Sequence, residues 1–120
     1  MNNKIDKTTY QTIMDTNILT GIELYYQPDI EKSAEYFKTA INCGEENINY
    51  SKEEYYNALN CAYSWLGVIY YNQKDIPNAL SCFNKAVEHY NEVKDDPNYF
   101  VKEDQVIGIC KGYIESLSKK

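Results

Sequence analysis

The stretch from Asn60 to Asn91, NCAYSWLGVIYYNQKDIPNALSCFNKAVEHYN, decides the fold. Apolar residues return every three or four positions on both sides of its centre, which is the helical period. Between the two periodic runs, Asp75 is placed to cap a new helix and Pro77 falls in its first turn, where a missing N–H costs nothing. Ile76, Leu80, Phe83, Val87 and Tyr90 then make one apolar face. Working outward, a shift of 46 positions lays residues 21–44 on residues 67–90 without a gap. Gly21/Gly67, Tyr25/Tyr71, Gln27/Gln73, Asp29/Asp75, Ile30/Ile76, Phe37/Phe83 and Ala40/Ala86 are identical, and Ile22/Val68 and Ile41/Val87 are conservative. One helical hairpin is therefore written twice.

The rest of the chain extends this frame. A first helix is expected from about Thr8 to Tyr26, with Thr8 and Gln11 spaced as a capping box. Pro28 disfavours helix before it and Asp29 caps the second helix, which is expected to end at Cys43 with Gly44 as a left-handed stop. Ser51 and Glu54 form the next capping box, opening a third helix over about 52–72. The fourth follows Asp75, and Asp96-Pro97 starts a fifth that ends near Leu117. The fifth falls roughly into the 46-residue frame as the first helix of an incomplete third unit. No stretch alternates with period two for long, so the expected class is all-α.

Tyr63-x-x-Leu66-Gly67-x-x-Tyr70, followed by Ala79-x-x-x-Phe83 and Ala86, resembles the tetratricopeptide repeat, with Tyr63 where Trp is commoner. Gly67 and Ala79 are small where two antiparallel helices cross, and Tyr70 and Phe83 fill the space beside them. The period of 46 exceeds the usual 34, Asn91 replaces the closing proline, and HEAT and armadillo units remain the alternative. The resemblance implies one domain over 1–120: repeat one over about 8–44, repeat two over about 52–93 and a closing helix over about 97–118. It also implies that the antiparallel helix hairpins stack into a right-handed superhelical α-solenoid.

Composition narrows the function. Eighteen acidic residues face twelve basic ones, a net charge of −6; every basic residue is Lys, and thirteen residues are Tyr. Residues 1–60 hold five lysines and ten acids (−5) and residues 61–120 hold seven and eight (−1). A nucleic-acid reader needs a basic footprint, commonly with arginine forks, and this chain offers neither. The N-terminal residues carry no apolar run of signal type and no stretch is long enough to span a membrane. Cys43, Cys61, Cys82 and Cys110 are spaced too widely for a structural zinc site and read as apolar thiols in a reducing cytoplasm. No phosphate loop, nucleophile–base pair or metal cluster is evident, and His89 reads as a surface or helix-end residue. The expectation is a protein without enzymatic activity or cofactor.

What the resemblance implies is a concave groove on the first helices of the units. Its lining would be Asp15, Ile18, Ile22, Tyr25 and Tyr26 from the first helix, and Cys61, Ser64, Trp65, Val68, Tyr71 and Asn72 from the third. The fifth would add Ile107, Cys110, Lys111 and Ile114. Ile22 and Val68 fit core and groove equally well, and Trp65 is divided between anchor and core. The pairs Tyr25-Tyr26, Tyr55-Tyr56 and Tyr70-Tyr71 cannot all hide on one stripe, because helix neighbours point about 100° apart. The lysine-and-asparagine clamp that some co-chaperone repeats use on acidic tails is missing: Asp15, Ile18, Leu19, Ile22, Cys61 and Trp65 stand there, and Lys111 alone is basic. The expected partner is a peptide or helix of another protein. A dedicated chaperone for one subunit, or a homodimer joined through the fifth helix, are the alternatives.

Overall fold

Asp29 and Asp75 punctuate the chain. Asp29 Oδ1 accepts from the Lys32 amide at 3.5 Å, and Asp75 Oδ1 accepts from the Asn78 amide at 3.3 Å. The computed structural model describes residues 7–47, 52–93 and 105–119. They form α1 (Lys7–Tyr26), α2 (Ile30–Asn47), α3 (Lys52–Asn72), α4 (Ile76–Val93) and α5 (Gln105–Ser118), with no strand among the described residues. α1 packs on α2 and α3 on α4, giving two hairpins; α5 lies mainly on α4 and also touches α3. The architecture is an all-α helical repeat. α3 is its centre, touching all four other helices. The capping boxes read at Thr8/Gln11 and Ser51/Glu54, and the start of the fifth helix at Asp96-Pro97, lie outside the described residues or side chains.

The two turns share a bond 46 residues apart: the Asp29 amide donates to Leu24 O at 2.8 Å and the Asp75 amide to Tyr70 O at 2.9 Å. They differ in the residue between. Lys74 sits at φ 64°, in the left-handed region, and its amide donates to Tyr71 O at 3.0 Å, which closes α3 as a Schellman-type end. Pro28 holds the matching place in the first turn and has no N–H to give.

Each hairpin is drawn together by a glycine facing a phenylalanine. A Cβ on Gly21 would lie 2.8 Å from Phe37 Cε1, and one on Gly67 would lie 2.6 Å from Phe83 Cε1. Both rings are fully buried, each worth roughly 2–3 kcal/mol in apolar burial. The second small position differs between the copies. Ala79 is fully buried in the second, whereas Ser33 in the first donates its hydroxyl to Gly21 O at 2.7 Å, satisfying a buried polar group.

Three expectations are corrected. Gly44 is not a stop: no described glycine has positive φ, and α2 runs on to Asn47. It is buried, and a Cβ there would meet Met14 Cε at 2.6 Å and Leu59 Cδ2 at 2.8 Å, so it is small because α1 and α3 press on it. His89 is not a surface residue. It is buried on α4, its ring stacked with Tyr63 (centroids 5.7 Å, 24°) and its Nε2 3.1 Å from Glu45 Oε1, which also accepts from the Tyr63 hydroxyl at 2.8 Å.

The third concerns register. α5 does not follow the 46-residue frame; it follows one of 48. At that spacing Leu59, Ala62 and Ile69 fall on Ile107, Cys110 and Leu117, all buried, and Trp65 falls on Tyr113. At 46 the same α3 positions would fall on Gln105, Gly108, Glu115 and Lys111. Burial of apolar surface sets the register, so the connection after α4 absorbs two more residues and α5 is turned accordingly.

The outer faces of the first and last helices are mostly polar. Ala58, Ala62, Trp65 and Ile69 of α3 pack inward, whereas their counterparts on α1, Thr12, Thr16, Leu19 and Glu23, are exposed. On α5, Lys111, Glu115 and Ser118 are exposed where α3 carries Tyr63, Gly67 and Tyr70. Terminal units of repeat arrays need such water-compatible faces.

Three substitutions separate these effects in urea unfolding. Gly67→Ala drives a methyl into Phe83 and should cost about 1–3 kcal/mol. Gly112→Ala, where a Cβ would meet nothing within 4 Å, should stabilise α5 by about 1 kcal/mol. Lys74→Gly relieves a left-handed side chain and should also gain about 1 kcal/mol.

Candidate functional site

Two ring triplets repeat along the array. Trp65 stacks on Phe37 of the preceding helix (5.9 Å, 10°), and Tyr25 of the preceding first helix meets it edge-on (5.2 Å, 67°). In the next unit Tyr113 stacks on Phe83 (4.6 Å, 3°) and Tyr71 meets it edge-on (4.9 Å, 61°). Tyr25 and Tyr71 are 46 apart, and Trp65 and Tyr113 are 48 apart, so the same motif is built twice at the register that the helices adopt. Offset and edge-on ring pairs of this kind add about 0.5–1.5 kcal/mol each beyond area burial.

Between the triplets lies a cavity of about 350 Å³. Tyr25 and Tyr26 close it from the last turn of α1, Cys61, Ser64, Trp65 and Val68 form its floor on α3, and Ile109 and Tyr113 form its far wall on α5. None of these eight side chains is a formal ion. Tyr26 is 72% exposed and Ile109 54% exposed, so both are presented to solvent at the rim. Tyr26 contacts Tyr25 (5.4 Å, 90°) and Trp65 (6.0 Å, 81°) edge-on, which holds its ring over the opening. Asn72 Nδ2 donates to the Tyr25 hydroxyl at 3.1 Å and so fixes that ring from α3.

The residues singled out in the sequence separate into groups. Tyr25, Tyr26, Cys61, Trp65 and Val68 meet in the cavity, as does Ser64. Ile18 is buried in the core and Ile22 is half-buried against it. Tyr71 serves the second ring triplet, Asn72 orients Tyr25, and Asp15 is exposed on α1. The fifth-helix residues depart from expectation because of the two-residue register shift. Ile107 and Cys110 are buried, Cys110 Sγ lying 3.0 Å from Ser64 Oγ; Ile114 packs on the cluster around Phe83; Lys111 lies over the Tyr90 ring at 5.7 Å. Ile109 and Tyr113 take their place in the cavity wall. A signal for them was present: with a shift of 48 every buried apolar position of α3 from Leu59 to Ile69 meets an apolar partner on α5. The side chains of Tyr55 and Tyr56 lie outside the described residues.

Residues 60–92, the last part of α3 and almost all of α4, match the family model of the tetratricopeptide repeat. The fold is a tetratricopeptide-like helical repeat. Repeats of this family serve contact between proteins, and at that level the chain is a protein–protein interaction module. No curated protein and no solved structure matches it. No helix among the described residues is long and apolar enough to cross a membrane.

None of the four cysteines is in a disulfide, and their surroundings divide them. Cys82 and Cys110 are buried; burial pushes the Cys82 thiol up to about 11, against which nearby Lys38 acts weakly. Cys43 is half-buried and its thiol is also raised, first by burial and then by Glu46. The thiolate is the reactive form, so raised and buried thiols are slow. Iodoacetamide on the folded protein should therefore modify Cys61 and Cys43 well before Cys82 and Cys110, as peptide mass mapping would read. Any occupant of the repeat's cavity should protect Cys61 and leave the Cys43 rate unchanged.

Proposed function

We propose that this chain is a non-enzymatic, cytoplasmic interaction module whose cavity between α1, α3 and α5 receives a side-chain anchor from a peptide or helix of a partner protein. The observation that carries the reading is the cavity itself. A repeat scaffold with largely polar end faces carries a concave site of about 350 Å³ with four aromatic rings and no charged wall. Tyr and Trp dominate interface hot spots because they bring large rigid area at low rotamer cost. The ring triplets fix the walls through contacts with the core, so the site is preformed and little ordering is needed on binding. In this reading Ile18 and Ile22 support the site from beneath, and Ile114 and Lys111 belong to the α4–α5 packing.

The apolar stripe of α5 lies inward on α4 and α3, with Ile107, Cys110 and Leu117 buried. That favours a closing helix over a dimer seam. A dedicated chaperone of one subunit would use the same cavity and differs only in holding a single stoichiometric client.

Rim residues test the reading better than the floor, since truncating Trp65 would also strip the stack on Phe37. Ile109→Asp should preserve the helical circular dichroism and the stability within about 0.5 kcal/mol, as exposed sites do, and Tyr26→Ala, which loses two edge-on ring contacts, should keep the helical circular dichroism at a cost of about 1 kcal/mol. Both should weaken capture of the partner obtained by affinity purification from the native host by tenfold or more, about 1.4 kcal/mol. Undiminished capture by both folded variants would refute the cavity as the binding site.

A further inference from the structure

The cavity's walls are not merely apolar. Tyr25, Tyr26, Trp65 and Tyr113 bring four π systems to one space, and an aromatic face carries a negative potential that attracts a cation within about 6 Å of the ring centre. Two further observations carry the same sign. Tyr25 and Tyr26 are the last residues of α1, so the negative end of that helix's dipole lies at the rim, and its last turn holds no basic residue but does hold Glu23. The chain as a whole carries −6, with −5 of it in residues 1–60, which steers cationic partners toward it. The same chemistry is already used elsewhere in the molecule: Lys38 lies over the Tyr70 ring at 5.9 Å and Lys111 over Tyr90 at 5.7 Å. The cavity rings have no such lysine among the residues lining the space.

From this geometry we infer that the side chain the cavity takes from its partner is an arginine, its guanidinium against the rings of Trp65 and the tyrosines and its methylene stem along Val68 and Ile109. The inference rests on the reading of the cavity as the partner-binding site and adds the chemistry of the anchor. Arginine fits better than lysine because its planar ion is more weakly hydrated and stacks on aromatic faces, so less solvation is lost on entering a space without a carboxylate. Tyrosine hydroxyls and Ser64 Oγ offer acceptors for its N–H groups. A second copy of this chain cannot supply the anchor, because the sequence contains no arginine.

Trp65 is the sole tryptophan and lines the cavity, so its emission reports occupancy. The full chain would be titrated at constant ionic strength with the N-acetyl methylamides of arginine, of citrulline and of norleucine. Citrulline keeps the shape of arginine without its charge, and norleucine is a purely apolar anchor. The arginine compound should bind at least about fivefold more tightly than citrulline, in keeping with a partly desolvated cation–π contact. It should also bind more tightly than norleucine. Tyr26→Leu, which keeps apolar area at an exposed position, should reduce the preference for arginine over norleucine severalfold. Equal binding of arginine and citrulline, or tighter binding of norleucine, overturns the arginine assignment while leaving an apolar anchor in the same cavity. No saturable change with any of the three overturns it as well, and capture of the native partner by the rim variants then decides separately whether the cavity is used at all.

Discussion

The close approach of glycine to phenylalanine is the constraint from which the remaining geometry follows. With no Cβ at Gly21 and Gly67, the rings of Phe37 and Phe83 reach into the space that a side chain there would fill, and the two helices of each hairpin pack with the ring between them. Because each ring is fully buried, its other side must be covered by the next unit. Trp65 and Tyr113 do this by stacking, and that stacking brings α3 and α5 to the depth and rotation that they adopt. Tyr25 and Tyr71 then brace the stacked rings from the side. The cavity is the space left over when two such braced stacks stand beside each other, so it is a by-product of how the helices are held apart.

Much of this was legible in the sequence because the hairpin is written twice. The repeated Gly–Phe pair, the aspartate caps and the tyrosines at Tyr25 and Tyr71 keep their spacing, and a repeat tests its own alignment. Six of the cavity residues, Tyr25, Tyr26, Cys61, Ser64, Trp65 and Val68, are among those that the tetratricopeptide resemblance assigns to the groove. The misreadings have physical causes. A glycine near a helix end signals either a left-handed stop or a close neighbour, and Gly44 is the second, with Met14 and Leu59 against it. The fifth helix departs from the spacing between the first two units because nothing obliges a connection of different length to preserve it. Matching burial across α3 and α5 would have placed Tyr113, and not Lys111, in the position of Trp65.

His89 shows a different limit. Its neighbours on α4 say only that it lies next to Glu88; its burial depends on Tyr63 from α3 and Glu45 from the end of α2, which reaches it because α2 runs past Gly44. One helix extended by a turn thus joins three elements through a single carboxylate. Local patterning is blind to that, since the partners are more than forty positions apart for His89 and Glu45.

The polar outer faces of α1 and α5 also bear on how the molecule would come apart. In a linear array the stability is close to a sum over units and the seams between neighbours. The described helices offer two seams, α2 against α3 and α4 against α5, each centred on one stacked ring pair. A long array tolerates a weakened seam because many others share the load. With two there is no such redundancy, and the cavity spans both. Opening either seam dismantles a wall of the cavity, so its integrity is tied to the weaker of two joints rather than to the average of the whole.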